Sequence, residues 1–238
     1  MTQIDSNRHA FGLDFERYSS SADGKKMMDF KIAALHDDPP ISFMICRSGI
    51  SWGHQDMWFN YNWTGIRQMD LFRIAAGVRT YPVGRGAYHV IYPSQNPISQ
   101  ADNFMRIVDP AADWEHDRAV IDLELNQGMT KRTITDCTKR FAEQVKKTTG
   151  RYPILYCRAQ WLNQFAYPQE LTFLELWLAQ YLWPRPWPLF TPEYPPPPNP
   201  LPTGFTNWLV HQTGDRCKPI GSPVKKVMDY NRWNGGRR

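Results

Sequence analysis

Short runs of apolar and β-branched residues alternate along this chain with longer stretches whose apolar positions recur at helical spacing. That is the pattern of strand–helix units wrapped around a parallel sheet. AFGLDF (10–15) predicts a first strand, and ADGKKMMDFKIAALH (22–36) a helix that turns Met27, Met28, Ile32 and Leu35 toward the sheet. ISFMICRS (41–48) predicts a buried second strand, followed by a long helix from Trp58 to Ala76 that Gly77 closes. GRGAYHVI (84–91) and a helix over 97–108, after the Asn96-Pro97 break, make a third unit. RAVIDLELN (118–126) is the clearest strand, and TKRTITDCTKRFAEQVKKTTG (130–150) a helix capped by Thr130 and ended by Gly150. YPILYC (152–157), LELWLAQY (174–181), FTNWLVHQT (205–213) and VKKVMDY (224–230) bring the strands to eight.

The last strands have little helix between them, unlike the first five, so the expected fold class is α/β, an irregular TIM-like barrel that ends in hairpin-like strands. The length of 238 residues suits one such barrel, and the chain is read as a single domain over 1–238 with no separate second domain. Half of the twenty residues from Trp183 to Pro202 are proline, which excludes helix and central strand there. Too little chain follows for a second domain, so 183–203 is read as a proline-rich loop over the barrel mouth.

Composition refines this only in part. Ten Trp and eleven Tyr supply more flat rings than a core strictly needs, and rings are what a saccharide cleft uses as platforms. The net charge of +5 is modest and the basic residues are scattered, which argues against nucleic acid as a partner. Cys46, Cys137, Cys157 and Cys217 are far apart and unaccompanied by clustered histidines, so they read as reduced, mostly buried thiols and suggest neither a zinc site nor a disulfide framework. No apolar run approaches a membrane span, and the first fifteen residues carry no visible export signal. No metal or other cofactor is expected, and the chain is expected to be a monomer.

The candidate chemistry lies in four acids. In a strand, side chains at i and i+2 share a face about 6.6 Å apart, which relates Asp122 to Glu124 and points both into the barrel, with Ile121, Leu123 and Leu125 facing the covering helices. Asp14 stands at the end of the first strand and Asp229 at the end of the last, and closing a barrel makes those strands neighbours. Three separate strands thus deliver acids to the C-terminal rim, where barrel enzymes place their chemistry. Glycoside cleavage needs one carboxyl kept protonated as a proton donor and another kept charged, and crowding with burial supplies both. Glu124, with the longer arm, is the expected acid. His89 reads as a satisfied structural histidine at a strand end, and His54, His116 and His211 show no metal spacing.

The segments FGLDF, GAYHV, IDLELN, LWLAQY, VHQT and VMDYN resemble the signature segments of the glycoside hydrolase family 25 lysozymes, the Chalaropsis-type N-acetylmuramidases, from Gly12 to Asn231. The resemblance implies a barrel of five βα units followed by three strands, and retaining cleavage of the β-1,4 bond after N-acetylmuramic acid in bacterial peptidoglycan. It implies that Glu124 is the general acid and that Asp122 orients or charge-stabilises the substrate's 2-acetamido group as internal nucleophile. Asp14 and Asp229 would line the same pocket, with Tyr88, Trp177, Tyr181 and Gln212 at cleft-lining positions and Arg47 binding substrate. Where many members carry Lys-Ala-(Ser/Thr)-Glu-Gly after the second strand, this chain reads Arg47-Ser48-Gly49 and lacks the acid. The expected form is a bacteriolytic enzyme of the phage-endolysin kind, acting on the cell wall after phage-encoded release or as a virion component. Two alternatives stay open: a non-catalytic glycan-binding or virion structural module on the same barrel, and a hydrolase whose acids hold a divalent metal.

Overall fold

The computed structural model describes residues 10–78, 82–182 and 198–234. Its strands are β1 (Ala10–Phe15), β2 (Ile41–Ile50), β3 (His54–Gln55), β4 (Gly84–Val90), β5 (Arg118–Asp122), β6 (Ile154–Cys157), β7 (Leu176–Ala179), β8 (Val210–Cys217) and β9 (Met228–Trp233). The helices are α1 (Phe30–Ala34), α2 (Phe59–Ala75), α3 (Pro97–Val108), α4 (Lys131–Thr149) and α5 (Ala159–Phe165). Pairing runs β1-β9-β8-β7-β6-β5-β4-β2, and β1 pairs back onto β2, so eight strands close into a barrel. Only β9 runs antiparallel to both of its neighbours. Five βα units followed by three strands is therefore the observed order.

The barrel is built in two apolar layers. Alternation sends Leu13, Met44, Ala87, Ile121, Leu155 and Leu178 outward, into the main core between strands and helices. It sends Phe43, Ile45, Val120, Ile154, Trp177 and Val210 inward, where they fill the barrel below its mouth. Burying each large aliphatic or aromatic side chain in these layers contributes roughly 1.5–3 kcal/mol. Gly12 has a steric reason: a Cβ there would lie 2.4 Å from the Phe43 ring, which crosses the barrel and meets Trp233 edge-on at 5.5 Å between centroids.

Helix ends follow their caps. Asn96 accepts from Ile98 and Ser99 ahead of Pro97, Thr130 accepts from the Thr133 amide, and Gly150 takes φ +75° after α4. The helix expected over 22–36 is cut to α1, because Asp29 caps residues 31 and 32 and the chain before it is tied in turns, with the Met28 amide on Ser20 Oγ. Met28 is buried as expected, but Ile32 and Leu35 face solvent, and Phe30, Ala33 and Ala34 pack inward instead. The strand expected to 126 ends at Asp122; Gln127 and Gly128 take positive φ, turning the chain away and leaving Leu125 exposed. The strand expected over 205–213 is β8, Val210–Cys217, and the last, expected over 224–230, begins at Met228 and continues to Trp233. Of the proline-rich segment, 183–197 lies outside the described residues; where description resumes, Asn199 exchanges two hydrogen bonds of 2.7 Å with the Gln180 side chain. Cys46, Cys137 and Cys157 are buried free thiols, and Cys217 is half-buried.

Candidate active site

An open cavity of about 210 Å³ sits in the barrel mouth, and Asp14, Asp122, Glu124 and Asp229 all line it. Strand alternation brings them together: Asp14 shares the inward face of β1 with Gly12, and Asp122 that of β5 with Val120. Glu124 lies two residues beyond the end of β5, where the Leu123 amide still bonds to Tyr156 O at 3.0 Å and keeps the backbone extended. Asp229 reaches the rim by a different route from the one expected. It stands near the start of β9, and because that strand runs antiparallel, its beginning is at the same end as the C-termini of the others.

The floor of the cavity is a continuous hydrogen-bond network. Asp14 Oδ2 accepts from Gln212 Nε2 at 2.9 Å and from Asn231 Nδ2 at 2.6 Å. Gln212 Oε1 in turn accepts from the Tyr156 hydroxyl at 2.7 Å, and Asn231 Oδ1 from Trp177 Nε1 at 2.9 Å. Each amide is thereby fixed in orientation, its carbonyl facing an aromatic donor and its NH2 facing Asp14. Asp122 has no such support: its Oδ1 is buried and has no hydrogen-bond partner among the described residues. An orphaned carboxylate oxygen facing a cleft is free to receive a donor from a ligand.

Electrostatics separates the four acids. Burial raises the Asp122 carboxyl well above its ordinary range, and repulsion from Glu124 and Asp14 adds to this, while Arg47 opposes it. Burial also raises Asp14, against the lowering effect of its bonds from Asn231 and Gln212. Glu124 is raised by burial and lowered by Arg158, whose Nε lies 3.8 Å from Glu124 Oε1. Asp229 is pushed up to about 9, first by burial and then by Asp14, with Lys225 opposing. The cluster therefore holds protons at neutral pH that isolated carboxyls would have lost, and the groups titrate together.

Tyr88, Trp177, Tyr181 and Gln212 also line the cavity, together with Tyr156, Arg158 and Asp215, which the sequence reading did not single out. Tyr156 and Arg158 continue the inward alternation of Ile154 and were legible by parity. Asp215 lies past the end expected for its strand, so no signal marked it. Arg158 Nη2 donates to the Tyr181 hydroxyl at 3.3 Å, joining Glu124 to that ring. Arg47 is absent from the cavity lining. Its Nε donates to Asp56 Oδ2 at 2.9 Å and its Nη2 lies 3.7 Å from Glu16, so it acts on Asp122 through its field. His89 is fully buried, with its ring stacked on Phe141 and its pKa lowered to about 4 by burial. Among the described residues, three possible metal-ligating atoms converge only at Asp113, Glu115 and His116, just ahead of β5 at the opposite end of the barrel from the acids.

Comparison with solved structures places this architecture beside known lysozymes. The bacterial lysozyme from Streptomyces coelicolor is 19% identical with a TM-score of 0.68, over 96% of this chain and 94% of that one. A family GH25 lysozyme from Aspergillus fumigatus is 20% identical with a TM-score of 0.68, over 95% and 94%. The spore cortex lytic enzyme SleM of Clostridium perfringens is 20% identical with a TM-score of 0.70, over 99% of this chain and 70% of that one. These likenesses establish the fold. Among curated proteins, none matches the sequence significantly. The model of the glycosyl hydrolases family 25 matches residues 13–212, most of the chain, from within β1 to within β8, and the chain therefore belongs to that family.

Proposed function

We propose that this protein is a peptidoglycan hydrolase that cleaves the β-1,4 bond between N-acetylmuramic acid and N-acetylglucosamine, with retention and with help from the substrate's 2-acetamido group. The observation that carries the reading is the unequal provision for the two acids of β5 and its extension. Glu124 is partly buried, raised toward protonation, and held near a cation at the open side of the cavity. Asp122 is buried deeper with an unpartnered oxygen. Glu124 then donates its proton to the leaving glycosidic oxygen. The acetamido N–H of the sugar donates to Asp122 Oδ1, and its carbonyl oxygen attacks the anomeric carbon as the glycosidic bond breaks.

The hydrogen bond donated by the acetamido N–H favours the ionised form of Asp122 against the burial that raises it, and as positive charge develops on that ring the carboxylate stabilises it more than it stabilises the ground state. Asp14, fixed by two amide donors, and Asp229 set the field around the pair and hold the sugar, with Tyr88, Trp177, Tyr181 and Gln212 shaping the cleft. The described barrel is the catalytic unit in this reading, and it acts as a monomer on the bacterial cell wall after phage-assisted release. No helix among the described residues is long and apolar enough to cross a membrane. Mass spectrometry of soluble fragments from digested peptidoglycan tests the proposal. New reducing ends at N-acetylmuramic acid support it, whereas new ends at N-acetylglucosamine, or cut peptide stems, overturn it.

A further inference from the structure

Every barrel strand except β2 contributes a side chain to the cavity or continues into a residue that does. β2 instead rises past the rim. It pairs with β1 up to Cys46, then leaves that partner and folds over with β3, pairing Gly49 with Gln55 and Ile50 with His54. This hairpin carries β2 beyond its pairing with β1. Its tip is Ser51-Trp52-Gly53, and the Trp52 side chain is 62% exposed.

The tip is built to stay rigid. Ser51 takes φ +59°, a left-handed conformation that a non-glycine residue holds only when its surroundings fix it. Its amide donates to Val90 O at 2.9 Å, and its hydroxyl donates to the Gln95 side-chain oxygen. Its carbonyl receives both His89 Nε2 at 2.7 Å and Asn103 Nδ2 at 3.0 Å. A carbonyl can only accept, so Nε2 carries the imidazole proton, while Nδ1 lies 3.1 Å from the Ser48 hydroxyl, which donates to Tyr88 O at 2.9 Å. Beneath the tip, Gly49 packs so closely on β3 that a Cβ would meet His54 O at 2.1 Å. Two buried polar side chains from β4 and α3 are thus committed to one residue, and the next residue is a tryptophan facing solvent. Nothing in the stability of the fold calls for that exposure, since an indole in water forgoes the free energy of burial.

The position relates the tip to the cavity. Ile50 is level with Val90, and Val90 with Asp122, so the residue that leads into the tip stands two inter-strand spacings, about 10 Å, to the side of Asp122. The same sector carries Tyr18, 59% exposed, with the Arg17 guanidinium 4.7 Å and the Arg47 guanidinium 5.9 Å from its ring centre.

We propose that Trp52 is a stacking platform for a sugar ring of the glycan strand beyond the rings held in the cavity, so that the β2–β3 hairpin selects long strands over short ones. The inference rests on the reading of the cavity as a muramidase site. An aromatic face meets the C–H face of a pyranose without needing a fixed hydrogen-bond pattern, and a platform already immobilised costs no ordering entropy on binding.

The test compares Trp52→Ala and Trp52→Phe with the unaltered protein on two substrates, long peptidoglycan glycan strands and the shortest oligosaccharide that is cleaved. With Trp52→Ala, KM for long strands is expected to rise about tenfold, the loss of roughly one aromatic contact. kcat and both constants for the short substrate stay unchanged, and Trp52→Phe restores most of the loss. An equal change on both substrates, or none on either, overturns the proposal. Titration of long and short glycan fragments while following tryptophan fluorescence separates it from the catalytic reading. Loss of long-strand binding in Trp52→Ala supports the platform even in the absence of cleavage, whereas intact cleavage with unaltered long-strand binding removes the platform and leaves the muramidase reading standing.

Discussion

Asp14 and Asp229 are direct partners across the antiparallel pair of β1 and β9. Like charges at such opposed positions repel, and burial makes the repulsion worse. The physical resolution is that Asp229 keeps its proton, with its pKa pushed up to about 9. A raised carboxyl contributes stability that is fully present below its unfolded pKa, near 3.9. That contribution is lost as pH rises toward the folded value near 9. Asp229→Asn removes the titration and is expected to stabilise the fold by about 1–3 kcal/mol at pH 8, with little gain at pH 4. Thermal melts across that range check it, and a variant less stable than the parent at pH 8 counts against a protonated Asp229.

Glu124→Gln keeps the shape of the proposed acid and removes its proton. The expected loss in kcat is about 10²- to 10⁴-fold on natural substrate, with binding of glycan fragments retained. Undiminished turnover would remove Glu124 from the role of acid.

Arg158 lowers the Glu124 pKa from 3.8 Å away while itself more than half exposed. Replacing it with Ala removes that positive charge, so Glu124 stays protonated to higher pH and the alkaline limb of the kcat/KM profile moves upward. The shift is modest because solvent screens the pair. A limb that moves downward, or stays in place, would dissociate the arginine from the acid.

Gln212 bridges Tyr156 and Asp14, so Gln212→Ala leaves a phenol and a carboxylate of the cavity floor each short of a partner. The expected cost is about 1–3 kcal/mol of stability. Losing a donor to Asp14 also raises that carboxyl further, and kcat falls more than KM rises. Denaturant titration paired with steady-state kinetics tests both halves.

Gly12→Ala inserts a methyl into the Phe43 ring, which is itself held against Trp233. Overpacking of this kind costs about 1–3 kcal/mol. A Tm unchanged within error would show that the barrel axis has more room than the close contact implies.

The succession of strands and helices was legible because period-two and helical spacings are local properties, as were the break at Asn96-Pro97, the cap at Thr130 and the stop at Gly150. The first helix was overread because Met27, Ile32 and Leu35 satisfy a helical period without lying toward the sheet. The Asp29 cap and the turns fastened through Ser20 decide that region instead. Asp122 and Glu124 stood out by their spacing, and the expected closure of the barrel, with the resemblance in motifs, pointed to Asp14 and Asp229.

What the sequence determined by itself is the set of elements and which residues share a face of each strand, since both follow from backbone geometry. Tertiary structure alone decided the rest. Antiparallel β9 sets Asp229 opposite Asp14, the extended β8 brings in Asp215, and Asp56 and Glu16 engage Arg47, which is absent from the cavity lining. Those placements depend on hydrogen bonds between residues as many as 217 positions apart, such as Asn231 to Asp14. Proximity of that kind is fixed by barrel closure, which no local periodicity encodes.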